Sequence, residues 1–118
     1  MQPLLDACLA QGLRLAIHLE PYKGRDPASV RRDVEYLVAR YGPHSALHRM
    51  AAKGGPLLPL VYVYDSYHTS PAEWRKLLGP PSLESIRGTP FDCFVVCLYV
   101  ESHHDAYLRG GGFDGFYT

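Results

Sequence analysis

The hydrophobic positions of this chain switch repeatedly between a helical and an extended period. Residues 3–11 set Leu4, Leu5, Cys8 and Leu9 at helical spacing, and Gly12 supplies a stop. Residues 13–19 form an apolar run, Leu-Arg-Leu-Ala-Ile-His-Leu, that reads as a strand and ends at Glu20. The clearest helical stripe covers 27–41, where Val30, Val34, Leu37, Val38 and Tyr41 recur on one face. Asp26 is its expected N-cap, Pro27 occupies the first turn and Gly42-Pro43 ends it. A short extra helical turn is expected over 44–51, then a loop marked by Pro56 and Pro59. Leu60 to Tyr64 is a β-rich run closed by Asp65. Helix 71–78 follows, with Ser70 as cap, Pro71 at the first position and Glu73 at the capping-box position. After a Gly/Pro loop over 79–90, the stretch DCFVVCLYV (92–100) is almost continuously apolar, as a strand covered on both faces requires. A short helix over 102–109, capped by Ser102, and a strand over 113–117 complete the pattern.

The order is α-β-α-β-α-β-α-β. Such alternation predicts an α/β fold with parallel strands and right-handed crossovers. Four βα units are half of the eight that close a (β/α)8 barrel, which needs about 250 residues. The expectation is therefore a partial barrel of about four βα units, with residues 1–118 a truncated piece of a larger domain. Two strands enter through similar segments, TPFDCFVV (89–96) and GGFDGFYT (111–118). Their aspartates, Asp92 and Asp114, fall at the N-terminal ends of strands, where barrels carry stability rather than chemistry.

Composition narrows the partners. Twelve basic and twelve acidic residues give zero formal charge, which argues against nucleic acid, since phosphate binding draws on clustered excess Lys and Arg. A hydrophobic content of 47% with 20% charged residues suits a globular chain rather than a disordered one. No apolar run is long enough to span a bilayer, and the opening MQPLLDACLAQG lacks the basic start of a signal peptide. Cys8, Cys93 and Cys97 make no disulfide framework. On one strand the last two would lie about 13 Å apart, too far to bridge, and read as small buried apolar residues.

In parallel α/β folds ligands bind at the C-terminal ends of the strands. Here those ends carry His18, Glu20 and Tyr22; Tyr64, Asp65, Ser66 and Tyr67; then Glu101 and the pair His103-His104. Aromatic rings beside carboxylates suit sugars, because a ring covers the apolar face of a pyranose while carboxylates accept its hydroxyl protons. Another polar small molecule fits the same pattern, and Glu20 with Asp65 could serve a small unrelated enzyme as an acid/base pair. A strand-ending glutamate is also an ordinary solvated residue. His18 shares strand parity with Glu20, so the two face the same way. No metal is expected: His44 and His48 are four apart but lack the glutamate of the zinc-protease pattern. There is no Gly-x-Ser-x-Gly elbow, RGGGF (109–113) lacks the spacing of a phosphate loop, and no cofactor is implied.

Four ordered blocks, HLEPYKGRD, YVYDSYHTSPAEW, SIRGTPFD and GFDGFYT, resemble the endo-α-1,2-mannosidases of glycoside hydrolase family 99 over nearly the whole chain. The resemblance implies a (β/α)8 barrel and an enzyme that cuts within N-linked high-mannose glycans, releasing a glucosylated mannose. It implies a Golgi membrane setting, with an anchor that this chain does not contain. By block, His18, Glu20, Tyr22 and Lys23 match the family's His-x-Glu-Pro-Tyr-Lys segment, and Tyr64, Asp65 and Tyr67 its Tyr-Asp-Ser-Tyr segment. Glu101 ends the third strand where the family tends to be acidic, although VESHHD departs from its pattern. The family's catalytic glutamates lie in a Glu-Trp-His-Glu type motif, and the only tryptophan here, Trp74, stands in helix 71–78. The resemblance thus implies substrate-binding residues without the catalytic pair, so no mannoside hydrolysis by these residues alone. The alternative is a non-catalytic truncated product with a binding role or none.

Overall fold

In the computed structural model, residues 1–52 and 54–118 are described. The elements in chain order are helix α1 (Gln2–Ala10), strand β1 (Ile17–Leu19), helix α2 (Pro27–Tyr41), strands β2 (Arg49–Met50) and β3 (Leu58–Val63), and a 3-10 turn at Ser66–His68. Helix α3 (Pro71–Leu78), strand β4 (Phe94–Leu98), a second 3-10 turn (Ser102–His104), helix α4 (Asp105–Arg109) and strand β5 (Gly115–Tyr117) follow. The sheet runs β1-β3-β4-β5, every neighbouring pair parallel, with β2 added antiparallel to β3. The chain is thus an α/β fold with a parallel sheet, as the alternation predicts.

Strand parity sorts the side chains into two layers. Ile17, Leu19, Val61, Val63, Val95 and Cys97 face the helices and join the main core with Leu5, Val34, Trp74 and Leu77. Leu60, Phe94 and Val96 face the opposite way, packed with Ala16, Tyr62 and Tyr117. This second face is an open groove of about 430 Å³. β4 lies between two strands and is buried at all five positions, which is why its sequence is apolar without alternation. Cys93 and Cys97 are buried free thiols, pushed up to about 12 and about 11 chiefly by burial, so both stay protonated at neutral pH.

Helix ends follow the expected chemistry. The Asp26 carboxylate accepts the Ser29 N–H at 2.7 Å, and the Ser29 hydroxyl accepts the Asp26 N–H at 2.9 Å, so both residues satisfy N–H groups at the start of α2. Ser70 caps α3 through the Glu73 N–H at 3.3 Å.

Four segments depart from the sequence reading. The strand expected over 13–19 narrows to Ile17–Leu19, because Leu13 is exposed and Leu15 pairs instead with Leu47 in an isolated bridge. The helical turn expected over 44–51 is a turn followed by β2: burial of Ala46 and Leu47 and the bond from Leu60 N–H to His48 O draw the segment along β3 as a strand. Pro59 lies inside β3, not in a loop. It sits ahead of the residues that pair with β1 and β4, where its missing N–H costs no ladder bond to either. The last helix starts as a 3-10 turn capped by Glu101 rather than Ser102.

At the N-terminal end of the sheet, Arg87 uses every N–H of its guanidinium. Nε donates to Leu78 O (3.0 Å), Nη1 to Asp92 Oδ1 (3.1 Å) and Cys93 O (2.7 Å), and Nη2 to Gly112 O (2.8 Å) and Asp114 Oδ2 (2.8 Å). Asp114 also accepts the Val95 N–H at 2.8 Å, and Asp92 accepts those of Gly88 and Cys93. The two Phe-Asp segments repeat because two aspartates converge on one arginine. Gly112 is required beside them. Its φ is +88°, and a Cβ there would stand 2.5 Å from Leu78 O.

Candidate functional site

The opposite end of the sheet is polar and aromatic. His18 lies in β1 on the groove side, with its ring set edge-on to Tyr64 (5.5 Å between centroids), Tyr117 (6.2 Å) and Tyr62 (6.3 Å). Tyr62 and Tyr117 meet edge-to-face at 5.0 Å. In-register neighbours explain the cluster, since His18 pairs with Tyr62 and Tyr62 with Val96 across the parallel ladder. Alternation makes these groove-facing positions of three strands converge.

A short hydrogen-bonded chain crosses the cluster. The Tyr117 hydroxyl lies 3.2 Å from His18 Nε2, and His18 Nδ1 lies 3.2 Å from Glu20 Oε1. The Tyr117 phenol is pushed up to about 12, chiefly by burial and then by the electrostatic influence of Tyr64, Asp65 and Glu20 around it. It therefore keeps its proton at neutral pH and can donate to Nε2, the pairing that suits an imidazole whose Nδ1–H faces the acceptor Glu20. The Glu20 side chain is 70% exposed, so its carboxylate has lone pairs free for a ligand.

The turn after β3 is held from below. Ser66 is fully buried; its hydroxyl accepts the Leu98 N–H at 3.0 Å and its carbonyl accepts the Trp74 indole N–H at 2.8 Å. Tyr107 donates to Tyr67 O at 3.0 Å. On this support Asp65 takes φ 49° and ψ 40°, the left-handed region, the one non-glycine residue to do so among the described residues. Asp65 Oδ1 accepts the Tyr67 hydroxyl at 2.9 Å, and that bond is the main cause raising the Tyr67 phenol above its ordinary range. The Tyr67 ring stacks on His104 at 5.0 Å, and His104 Nδ1 accepts the N–H groups of Val100 and Glu101 at 3.2 and 3.3 Å.

Of the eight residues singled out in sequence, His18, Glu20, Tyr64, Asp65 and Tyr67 come together at the ends of β1 and β3. Glu101 stands at the neighbouring end of β4, exposed and 3.4 Å from His103 Nδ1. Tyr22 turns away: its hydroxyl donates to the Asp33 carboxylate and lies 2.8 Å from Ser29 Oγ, tying the loop to α2. Lys23 is exposed in the turn that follows. Sequence reasoning missed two members, Tyr117 and Arg25; His104 was named at a strand end but not among the residues singled out for substrate. Tyr117 could have been found by asking which β5 residues share parity with the groove. His44 and His48 do not form a pair: His44 Nε2 bonds Asp6 at 2.8 Å, and the buried His48 Nδ1 has no hydrogen-bond partner among the described residues. Among the described residues, no three His, Cys, Asp or Glu side chains are placed to hold a metal, and no helix is long and apolar enough to cross a membrane.

Residues 1–118 match the glycosyl hydrolase family 99 pattern along their whole length. The chain belongs to glycosyl hydrolase family 99. It is 44% identical over 115 residues to a glycoprotein endo-alpha-1,2-mannosidase-like protein of Danio rerio, covering 98% of this chain and 26% of that one. It is 43% identical to a glycoprotein endo-alpha-1,2-mannosidase of Xenopus laevis, again over 98% of this chain and 26% of the relative. The structure superposes on the GH99 endo-alpha-mannosidase of Bacteroides thetaiotaomicron with a TM-score of 0.87 and 36% identity, over 98% of this chain and 32% of that one. The chain thus spans about a quarter of the length of these family 99 relatives and about a third of the solved one. Its fold corresponds to part of the family 99 (β/α)8 barrel.

Proposed function

We propose that this chain forms part of the glycan-binding wall of an endo-α-1,2-mannosidase-type glycosidase. Its ligand is the glucosylated arm of an N-linked high-mannose glycan, and the Golgi is its setting. The observation that carries the reading is the cluster of His18, Glu20, Tyr64, Asp65 and Tyr117 at the C-terminal strand ends of a family 99 chain. Glu20 and Asp65 accept sugar hydroxyls. The exposed Tyr64 and Tyr67 rings offer surfaces to the pyranose face. The carboxylates that break the glycosidic bond belong to a Glu-Trp-His-Glu type segment, which these 118 residues do not include. The chain is accordingly a partial domain that binds without cleaving.

The test incubates the purified chain with a glucosylated high-mannose glycan. Perturbed resonances of His18, Tyr64 and Tyr117 with no released disaccharide are the expected result. Release of disaccharide that is lost in Glu20→Gln and Asp65→Asn would move the acid/base pair onto this chain instead.

A further inference from the structure

Arg25 lies in the turn between β1 and α2, inside the HLEPYKGRD block but not among the residues read above as touching sugar, yet its guanidinium reaches the ends of both β1 and β3. Nη1 donates to Leu19 O at 3.3 Å and Nη2 to Asp65 O at 3.0 Å. Leu19 is the last residue of β1, and Asp65 follows β3 by two. Leu19 O also accepts the Tyr64 N–H at 3.0 Å, and Asp65 O the His68 N–H at 3.1 Å. One planar cation therefore bridges the two strand ends at the point where the backbone enters the left-handed region at Asp65. Its charge lies among Tyr22, Asp65, Tyr117 and Glu20.

We propose that Arg25 is a positioning residue for the glycan site: it holds the Asp65 carbonyl, and through it the left-handed turn that aims the Asp65 carboxylate. The inference rests on the glycan-binding reading above. The physical case is geometric. A left-handed backbone costs a non-glycine residue free energy that its surroundings offset, and aspartate is among the residues that bear it best. Within the turn, Asp65 O accepts the His68 N–H and the Asp65 carboxylate accepts the Tyr67 hydroxyl; the bonds from the surrounding elements reach Ser66 and Tyr67, so Arg25 is the side chain that grips Asp65 O itself. A guanidinium presents donors in a fixed fork that can reach two carbonyls at once; a lysine ammonium is a single point on a flexible stem.

The experiment compares the chain with Arg25→Gln, Arg25→Lys, Asp65→Asn and the Arg25→Gln/Asp65→Asn double variant. One readout needs no ligand: the Cα shift and the H–N–Cα–H coupling of Asp65, which report its left-handed backbone. The second is affinity for a glucosylated mannose oligosaccharide, followed by NMR titration. In Arg25→Gln and Arg25→Lys the left-handed signature is lost and affinity falls roughly tenfold, the scale of a charge-assisted bond. The double variant binds no worse than Asp65→Asn alone. A left-handed signature retained in Arg25→Gln, wild-type behaviour in Arg25→Lys, or losses that multiply in the double variant would each overturn the proposal. Where Arg25→Gln fails to fold, Arg25→Lys supplies the same comparison. If the wild type binds no glycan, the functional reading falls, while the Asp65 backbone signature still decides the positioning role.

Discussion

At the N-terminal end of the sheet, Arg87 spends every donor on a fixed partner, and Asp92 and Asp114 accept from it and from backbone N–H groups. At the C-terminal end, Glu20 is open to solvent on the far side of His18, and Tyr64 and Tyr67 leave ring surface exposed. Both ends set charged side chains beside the strands of one sheet. The difference is satisfaction. A polar group with all its bonds made inside the fold contributes stability and nothing to a ligand, whereas one with free lone pairs beside exposed rings can bind. Support for the second end is hidden one layer down, in Ser66, Trp74 and Tyr107, so the binding groups stay free while their backbone is held.

The sharpest way to break this contrast is Arg87→Met. Removing one partner of a mostly buried ion network strands two carboxylates, and a loss of about 3–5 kcal/mol is expected from urea unfolding. Glycan affinity of the folded fraction should be unchanged. A loss below about 1 kcal/mol would place this clamp with ordinary surface pairs. Next comes Ser66→Ala, which leaves the buried Leu98 N–H without its acceptor. It should cost about 1–3 kcal/mol and also weaken glycan binding, because the Asp65 turn rests on it. Stability lost without any change in binding would separate the support from the site.

Glu20→Gln tests the opposite behaviour. Stability should stay within about 0.5 kcal/mol of the parent, as for an exposed substitution. Affinity for the glycan should fall about 10- to 100-fold, the value of hydrogen bonds to a charged acceptor. Isothermal titration beside a thermal melt reads both quantities. The smallest effect is alkaline. The Tyr117 pKa is raised on folding from its ordinary 10.0 to about 12, so above pH 10 the unfolded chain loses this proton while the folded chain keeps it. Its contribution is full below pH 10 and is lost as pH rises through about 12. Melting temperatures taken from pH 9 to 12 should therefore fall less steeply in Tyr117→Phe than in the parent.

Much of this was readable in the linear chain. The caps Asp26 and Ser70, the stripe of α2 and the unbroken apolar run of β4 are local patterns with local causes, and each appears where expected. The aspartates of the repeated Phe-Asp segments were legible as structural, but not the arginine they share, since Arg87 is 5 residues from one and 27 from the other. The strand at Arg49–Met50 was read as helical because its pairing partner, β3, lies eight residues ahead and only the fold supplies the edge. Glu20 and Asp65 stood out as carboxylates at strand ends. Tyr22 stood out equally, yet its hydroxyl is taken by α2.

The residue pattern by itself determined the alternation of helices and parallel strands, the two faces of each strand, and the end of the sheet at which chemistry belongs. Periodicity and backbone geometry are enough for that. Tertiary structure alone decided which polar groups remain free. His18 meets Tyr117 across 99 positions and Arg25 meets Asp65 across 40. Whether a hydroxyl, a carboxylate or a guanidinium binds a ligand or holds the fold depends on partners brought close by packing, and no local window of sequence contains them.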